Sequence, residues 1–159
     1  MACFGNDLTF DTRVSNTQNP APLVGVGFLY GLIGYDTIRV MKIVSNGKLL
    51  WVAGGRDYHV RTRVSSVLRG YADDGWTLIT GAAPGADLLA EDLWREWQAP
   101  YVGIPAQWDR DGKPAGVVRN RVIGHLDPDL LIAFPGGRGT RDAINVAAER
   151  QISWLVETE

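Results

Sequence analysis

From Lys48 onward, short apolar runs that stop at glycine or proline alternate with stretches of helical periodicity, and few folds accept that rhythm. The runs are "KLLWVAGG", "TLITGAAPG", "YVGIPA", "DLLIAFPGG" and "ISWLVE", each short enough for a strand and apolar without alternation. Between the first two, Val60, Val64, Val67, Leu68 and Tyr71 recur at helical spacing. After the second, Ala86, Leu89, Ala90, Leu93, Trp94 and Trp97 repeat the period, with Asp87, Glu91, Asp92, Arg95 and Glu96 between them. A third helix is expected in "TRDAINVAAERQ", with Ile144, Ala147, Ala148 and Gln151 on one side. Continuous apolar strands joined by helices imply right-handed βαβ crossovers, hence a parallel sheet covered on both faces. The expectation is a doubly wound α/β domain over residues 48–159.

Residues 1–47 lack this pattern and read as an N-terminal extension. "NDLTFDTRVSNTQNPAP" is polar and turn-rich, and "RVMKIVSNGK" suits an added edge strand ending in an Asn-Gly turn; Met41 is an alternative start. "APLVGVGFLYGLIGY", 15 residues with four glycines, falls short of the roughly 20 needed to cross a bilayer, so a buried hairpin is expected and no membrane partner. It lacks the basic flank of a signal peptide. Cys3 is the only cysteine, which excludes an intramolecular disulfide and points to a reducing cytoplasm. His59 and His125 have no partners at ligand spacing, so neither a metal nor another cofactor is expected. A net charge of −2 gives no broad footprint for a polyanion and disfavours nucleic acid as a partner, while leaving room for a small anion.

Ligands of open parallel sheets bind at the carboxyl ends of the strands. Four spare segments fall there: "GGRD", "GAAPGAD", "PAQWDRDGKPAGVVRNR" and "PGGRGTRD". A single glycine at a strand end does no more than permit a turn; the convergence of four such loops suggests a bound molecule. In "PGGRGT", Gly136, Gly137, Gly139 and Thr140 would offer bare amides and a hydroxyl at a helix start, where a phosphate is favoured, and Pro135 and Arg138 would complete that ligand-binding loop. Gly54, Gly55, Gly81, Ala82 and Gly85 would form close facing walls. Arg56, Arg119 and Arg138 are candidate phosphate clamps or, alternatively, solvated surface charge. Asp87 would take a ribose hydroxyl or cap its helix, and Asn120 is open in the same way. Trp108, in a polar stretch without a periodic core partner, would stack on a base or pack inward. Trp94 and Trp97 read as core or as the surface of a homodimer.

The order of "VAGGRDY", "TGAAPGADLLAEDLW", "IPAQWDRDGKPAGVVRNR" and "DPDLLIAFPGGRGTRDA" resembles the YspA-type branch of the SLOG superfamily, over about residues 51–151. That superfamily is Rossmann-like and related to the Lonely Guy phosphoribohydrolases and the DNA-processing protein A core. The resemblance implies a nucleotide or nucleotide-derived ligand, such as a nucleoside phosphate or an ADP-ribose-like molecule, and a role as sensor, carrier or sequestering protein. In some relatives it implies cleavage of an N-glycosidic bond. The Lonely Guy loop reads Pro-Gly-Gly-x-Gly-Thr-x-x-Glu, and here Ala143 stands at the position of the glutamate. Asp142 is one residue away, turned by about 100° around the helix axis and one methylene shorter. A hydrolase reading therefore needs Asp142, Asp57 or Asp87 as the carboxylate, with Arg119 assisting. Single-stranded DNA binding, the third reading, would use Arg56, His59, Arg61, Arg63 and Arg69, which otherwise form an exposed helix face.

Overall fold

The structure is a computed structural model that describes residues 47–158. The expected hairpin at 21–35 lies outside the described residues, and of the expected edge strand at 39–48 only Gly47 and Lys48 fall within them. Five strands and five helices follow in order: β1 (Leu49–Ala53), α1 (Arg61–Asp73), β2 (Thr77–Thr80), α2 (Ala86–Glu96), β3 (Tyr101–Gly103), α3 (Trp108–Asp111), α4 (Ala115–His125), β4 (Leu130–Ala133), α5 (Arg138–Glu149) and β5 (Ser153–Val156). All strand pairs are parallel and their order is β3-β2-β1-β4-β5. This is the doubly wound, Rossmann-like α/β fold expected from the sequence. The segment around Trp108 read as one long loop; most of it is helical, as α3 and α4.

β1 is buried along its whole length because helices cover both faces of the sheet. Leu50 and Val52 join Val64 and Leu68 of α1 and Ala90, Leu93 and Trp94 of α2 in one core. Leu49, Trp51 and Ala53 point the other way, to Ile123 of α4 and Ala143, Val146 and Ala147 of α5. Burying each large side chain contributes about 1.5–3 kcal/mol, so a strand apolar on both faces anchors two layers at once. Trp94 is wholly enclosed, which removes it from any dimer surface; Trp97 is half-buried against it, the rings 5.5 Å apart.

The apolar face expected of α2 is the buried one, widened by two acids, whereas α5 buries a different face from the one its apolar spacing suggests. α5 turns Thr140, Ala143, Val146 and Ala147 inward and leaves Ala148 and Gln151 exposed. α2 buries Asp87 and Glu91 beside its apolar residues. At the sheet margin, Trp154, Leu155 and Val156 of β5 are exposed, so coverage of both faces does not extend to this strand.

The chain winds outward from β1 to β2 and β3, then crosses back to β4 and β5. The strand order thus reverses between β1 and β4, whose following loops run to opposite faces and open a crevice.

Candidate functional site

The loops that flank this crevice are fastened to each other through one residue. The Gly55 amide donates to the Pro135 carbonyl at 2.9 Å, and the Gly55 carbonyl accepts the amides of Tyr58 and Ala86, both at 3.2 Å. The first amide of α2 is therefore satisfied by protein backbone. Such an approach leaves no room for side chains: a Cβ at Gly85, where φ is +86°, would fall on the Gly55 carbonyl oxygen. One at Gly54 would meet Ala86, one at Gly55 the Pro135 carbonyl, and one at Gly136 the Thr140 hydroxyl. These glycines were expected to line a ligand; what stands against them is the neighbouring loop. Gly137 and Gly139 differ, since a Cβ at either would meet nothing within 4 Å. Gly137 is also the N-cap of α5 and no side chain caps that helix, so the amides at its start have no side-chain acceptor.

A polar chain crosses the floor of the crevice from α2 through α4 to α5. Asp87 accepts the amides of Gly81 at 3.0 Å and Ala83 at 3.4 Å through Oδ2, and Nη1 of Arg119 lies 3.8 Å from the same oxygen. The Arg119 guanidinium occupies the place a Cβ at Gly81 would need, which explains that glycine. Its Nε donates to Asn120 Oδ1 at 2.9 Å, and Asn120 Nδ2 donates to Asp142 Oδ2 at 2.7 Å and to the Gly139 carbonyl at 3.2 Å. Burial pushes the Asp87 carboxyl up to about 6, although Arg119 and the two amides pull it down. Burial also lowers the Arg119 pKa, Asp87 opposing and Arg56 reinforcing the shift. For both partners, desolvation outweighs an ion pair as long as 3.8 Å.

Arg119 is thus committed to protein partners, whereas other cations at the crevice are not. Among the described residues, every arginine outside the loop after β1 and the first turn of α5 has a carboxylate within reach. Arg56, Arg138 and Arg141 have none. Arg56 lies over the Trp108 ring, 5.5 Å from its centroid, and Trp108 itself is 50% exposed. By contrast, Arg61, Arg63 and Arg69 of α1 pair with Glu96, Glu157 and Asp73, which leaves no stripe of free cations on that helix.

Two functional groups escaped the sequence reading. Thr80 Oγ1 accepts the Ala82 amide at 3.1 Å and donates to Glu91, holding Ala82 in a left-handed conformation with φ of +48°. Glu91 is buried, and its pKa is raised by that burial. The available signal was the i, i+4 spacing of Asp87 and Glu91, which puts both acids on one helix face. Asp57 is exposed and has no donor to its carboxylate among the described residues. Among those residues no group of three or more His, Cys, Asp or Glu is placed to hold a metal ion, and no helix is long and apolar enough to cross a membrane.

No protein-family model matches the chain. The Gene 61 protein of Mycobacterium phage D29 is 33% identical over 114 residues, which are 64% of this chain and 89% of that protein. Among solved structures, the molybdenum cofactor binding protein of the phototrophic bacterium Rippkaea orientalis superposes with a TM-score of 0.57 at 21% identity, over 69% of this chain and 75% of that one. The TM1055 protein gives 0.53 at 21% identity, over 63% and 68%. Both likenesses are of fold.

Proposed function

The chain belongs to the family of the Gene 61 protein of Mycobacterium phage D29, and from that premise and the geometry of the crevice we propose that it is a receptor for a nucleotide-derived, phosphate-bearing small molecule. One observation carries the reading: among the described residues the arginines without a carboxylate partner are Arg56, in the loop after β1, and Arg138 and Arg141, in the first turn of α5. Unpaired guanidinium groups around the uncapped start of α5 give an anion both charge and directed amides. The motifs quoted above support a finer placement in the YspA-type branch of the SLOG superfamily, with Trp108 as the surface on which a base stacks.

Holding is favoured over cutting because two of the three candidate carboxylates are engaged, Asp57 alone having no donor among the described residues. Asp87 is bound beneath its own loop, Asp142 accepts from Asn120, and Ala143 lies in the core. Hydrolysis of an N-glycosidic bond is the second reading, kept by the position of Asp142 beside the first turn of α5. Binding to single-stranded DNA draws no support from α1, whose arginines are paired.

The test is to mix the protein with equal concentrations of AMP, ADP-ribose and NAD, filter, denature the retained protein, and identify both fractions by mass. A molybdenum cofactor belongs in the same screen, since the Rippkaea neighbour is named for one. Depletion of one ligand from the filtrate and its intact release is the expected result. Appearance of free adenine or nicotinamide would establish hydrolysis instead, and depletion of none would end the receptor reading.

A further inference from the structure

At β5 the sheet ends in apolar side chains that the rest of the described chain leaves uncovered: Trp154, Leu155 and Val156 are all exposed. In register, Leu155 lies beside Ile132 of the core under α1 and α2, and Trp154 beside Leu131 of the core under α4 and α5, so this edge is apolar on both faces. Its backbone is open as well. The Glu157 amide donates to the Ala133 carbonyl of β4 at 2.8 Å, so by the alternation of a strand the amides of Trp154 and Val156 point to the other side, where no strand lies among the described residues. With no charge or proline between Ser153 and Val156, such an edge invites a further strand. We propose that the same chain supplies it: residues 38–44, "IRVMKIV", run antiparallel along β5 and close the sheet.

Topology is the first argument. The described chain begins at Gly47, at the amino end of β1. β1 is flanked by β2 and β4, so a strand leading into it cannot pair with it and has to reach an edge of the sheet. The place beyond β5 lies three strand spacings from β1, about 14 Å. The five steps from Val44 to Leu49 extend to about 17 Å, which is enough. The edge at β3 is as near but offers less, since Val102 is buried and the Arg95 guanidinium lies 5.6 Å from the Tyr101 ring centroid. Composition is the second argument. Val40 and Val44 alternate with Met41 and Ile43, which gives each face of the strand the apolar residues that β5 leaves without cover. Arg39 and Lys42 then stand on the new margin, and charges there discourage further pairing. The sequence alone suits this stretch to some edge strand; the fold selects the edge and the direction. A strand that ends beside the amino end of β1 starts at the carboxyl end of the sheet, where the crevice opens, so the apolar stretch at 21–35 enters beside the crevice.

The experiment follows hydrogen exchange of the Trp154 and Val156 amides by nuclear magnetic resonance on the full chain and its Val40→Pro and Ile43→Pro variants, at two protein concentrations about tenfold apart. Positions 40 and 43 have opposite parity, so in either register one proline removes an amide that faces β5. In the parent both amides are expected to exchange at least about a hundredfold more slowly than amides open to water, at both concentrations, and at least one variant should return them to within about fivefold of the open rate. Fast exchange in the parent overturns the proposal, since the edge is then bare. Protection that fades on dilution gives the edge to a second copy of the chain, and protection that survives both prolines gives it to another segment; each of these overturns the proposal too. Should the variants fail to fold, nuclear Overhauser contacts in the parent between the Trp154 and Val156 amides and residues 38–44 decide alone, their presence supporting the added strand and their absence overturning it. None of these outcomes touches the receptor reading.

Discussion

Asp87 shows how much a single carboxylate can be asked to do away from water. It ties down the loop after β2 through two amides and neutralises a buried arginine on another helix. Because its pKa rises from 3.8 to about 6 on folding, the folded chain holds a proton between those values that the unfolded chain has released. The associated stability is present below the unfolded value and is lost as pH rises through the folded one, and Glu91, shifted the same way, adds to the slope. Asp87→Asn removes the Asp87 share. Urea denaturation between about pH 4 and pH 7 should show the variant gaining on the parent by up to ~3 kcal/mol, the equivalent of that shift; parallel curves would mean that the carboxyl titrates normally. In the sequence, Asp87 read as a helix cap or a ribose ligand, both local roles. Its principal partner, Arg119, lies on a helix two strands away in the sheet order, and no spacing along the chain reveals it.

At the scale of elements, α5 and β5 carry the lessons. The apolar spacing of α5 suggested one face, yet the buried face starts at Thr140, because the helix is set by the loop that delivers it and by packing against α4. Ala143 is consequently sealed in the core, which makes a direct prediction about the glutamate found there in Lonely Guy enzymes. Ala143→Glu should bury an unpaired charge and cost about 3–5 kcal/mol. Thermal denaturation would show a large fall in Tm with no gain in nucleotide hydrolysis; a stable variant that releases free base would show instead that the crevice is an incomplete active site. The strands were legible because each apolar run had length and a glycine stop. The exposure of Trp154, Leu155 and Val156 was not, since neighbour order across the sheet is a property of the crossovers and leaves no mark in a strand's own residues.

For the whole molecule, the alternation of strands and helices announced the doubly wound fold, and the spare loops marked where it opens. What they did not reveal is which glycines touch a neighbouring loop and which face open space, since both uses demand the same residue. The electrostatic layout was equally hidden, because pairing of arginines depends on side chains brought from distant elements. That layout leads to a salt prediction: a phosphate held by Arg56, Arg138 and Arg141 should bind more weakly as ionic strength rises. Arg138→Ala should lower affinity about tenfold and flatten the salt dependence, read by calorimetry at two salt concentrations. An unchanged slope would place the phosphate elsewhere.

Gly55 joins the loop after β1 to the loop after β4 and to the start of α2 by two backbone bonds, and braces its own loop with a third. A molecule arriving at this place finds the walls already assembled, with no closing motion left to make. Encounter should then be a single fast step whose observed rate climbs linearly with concentration, and preference among ligands should be written in how long each one stays.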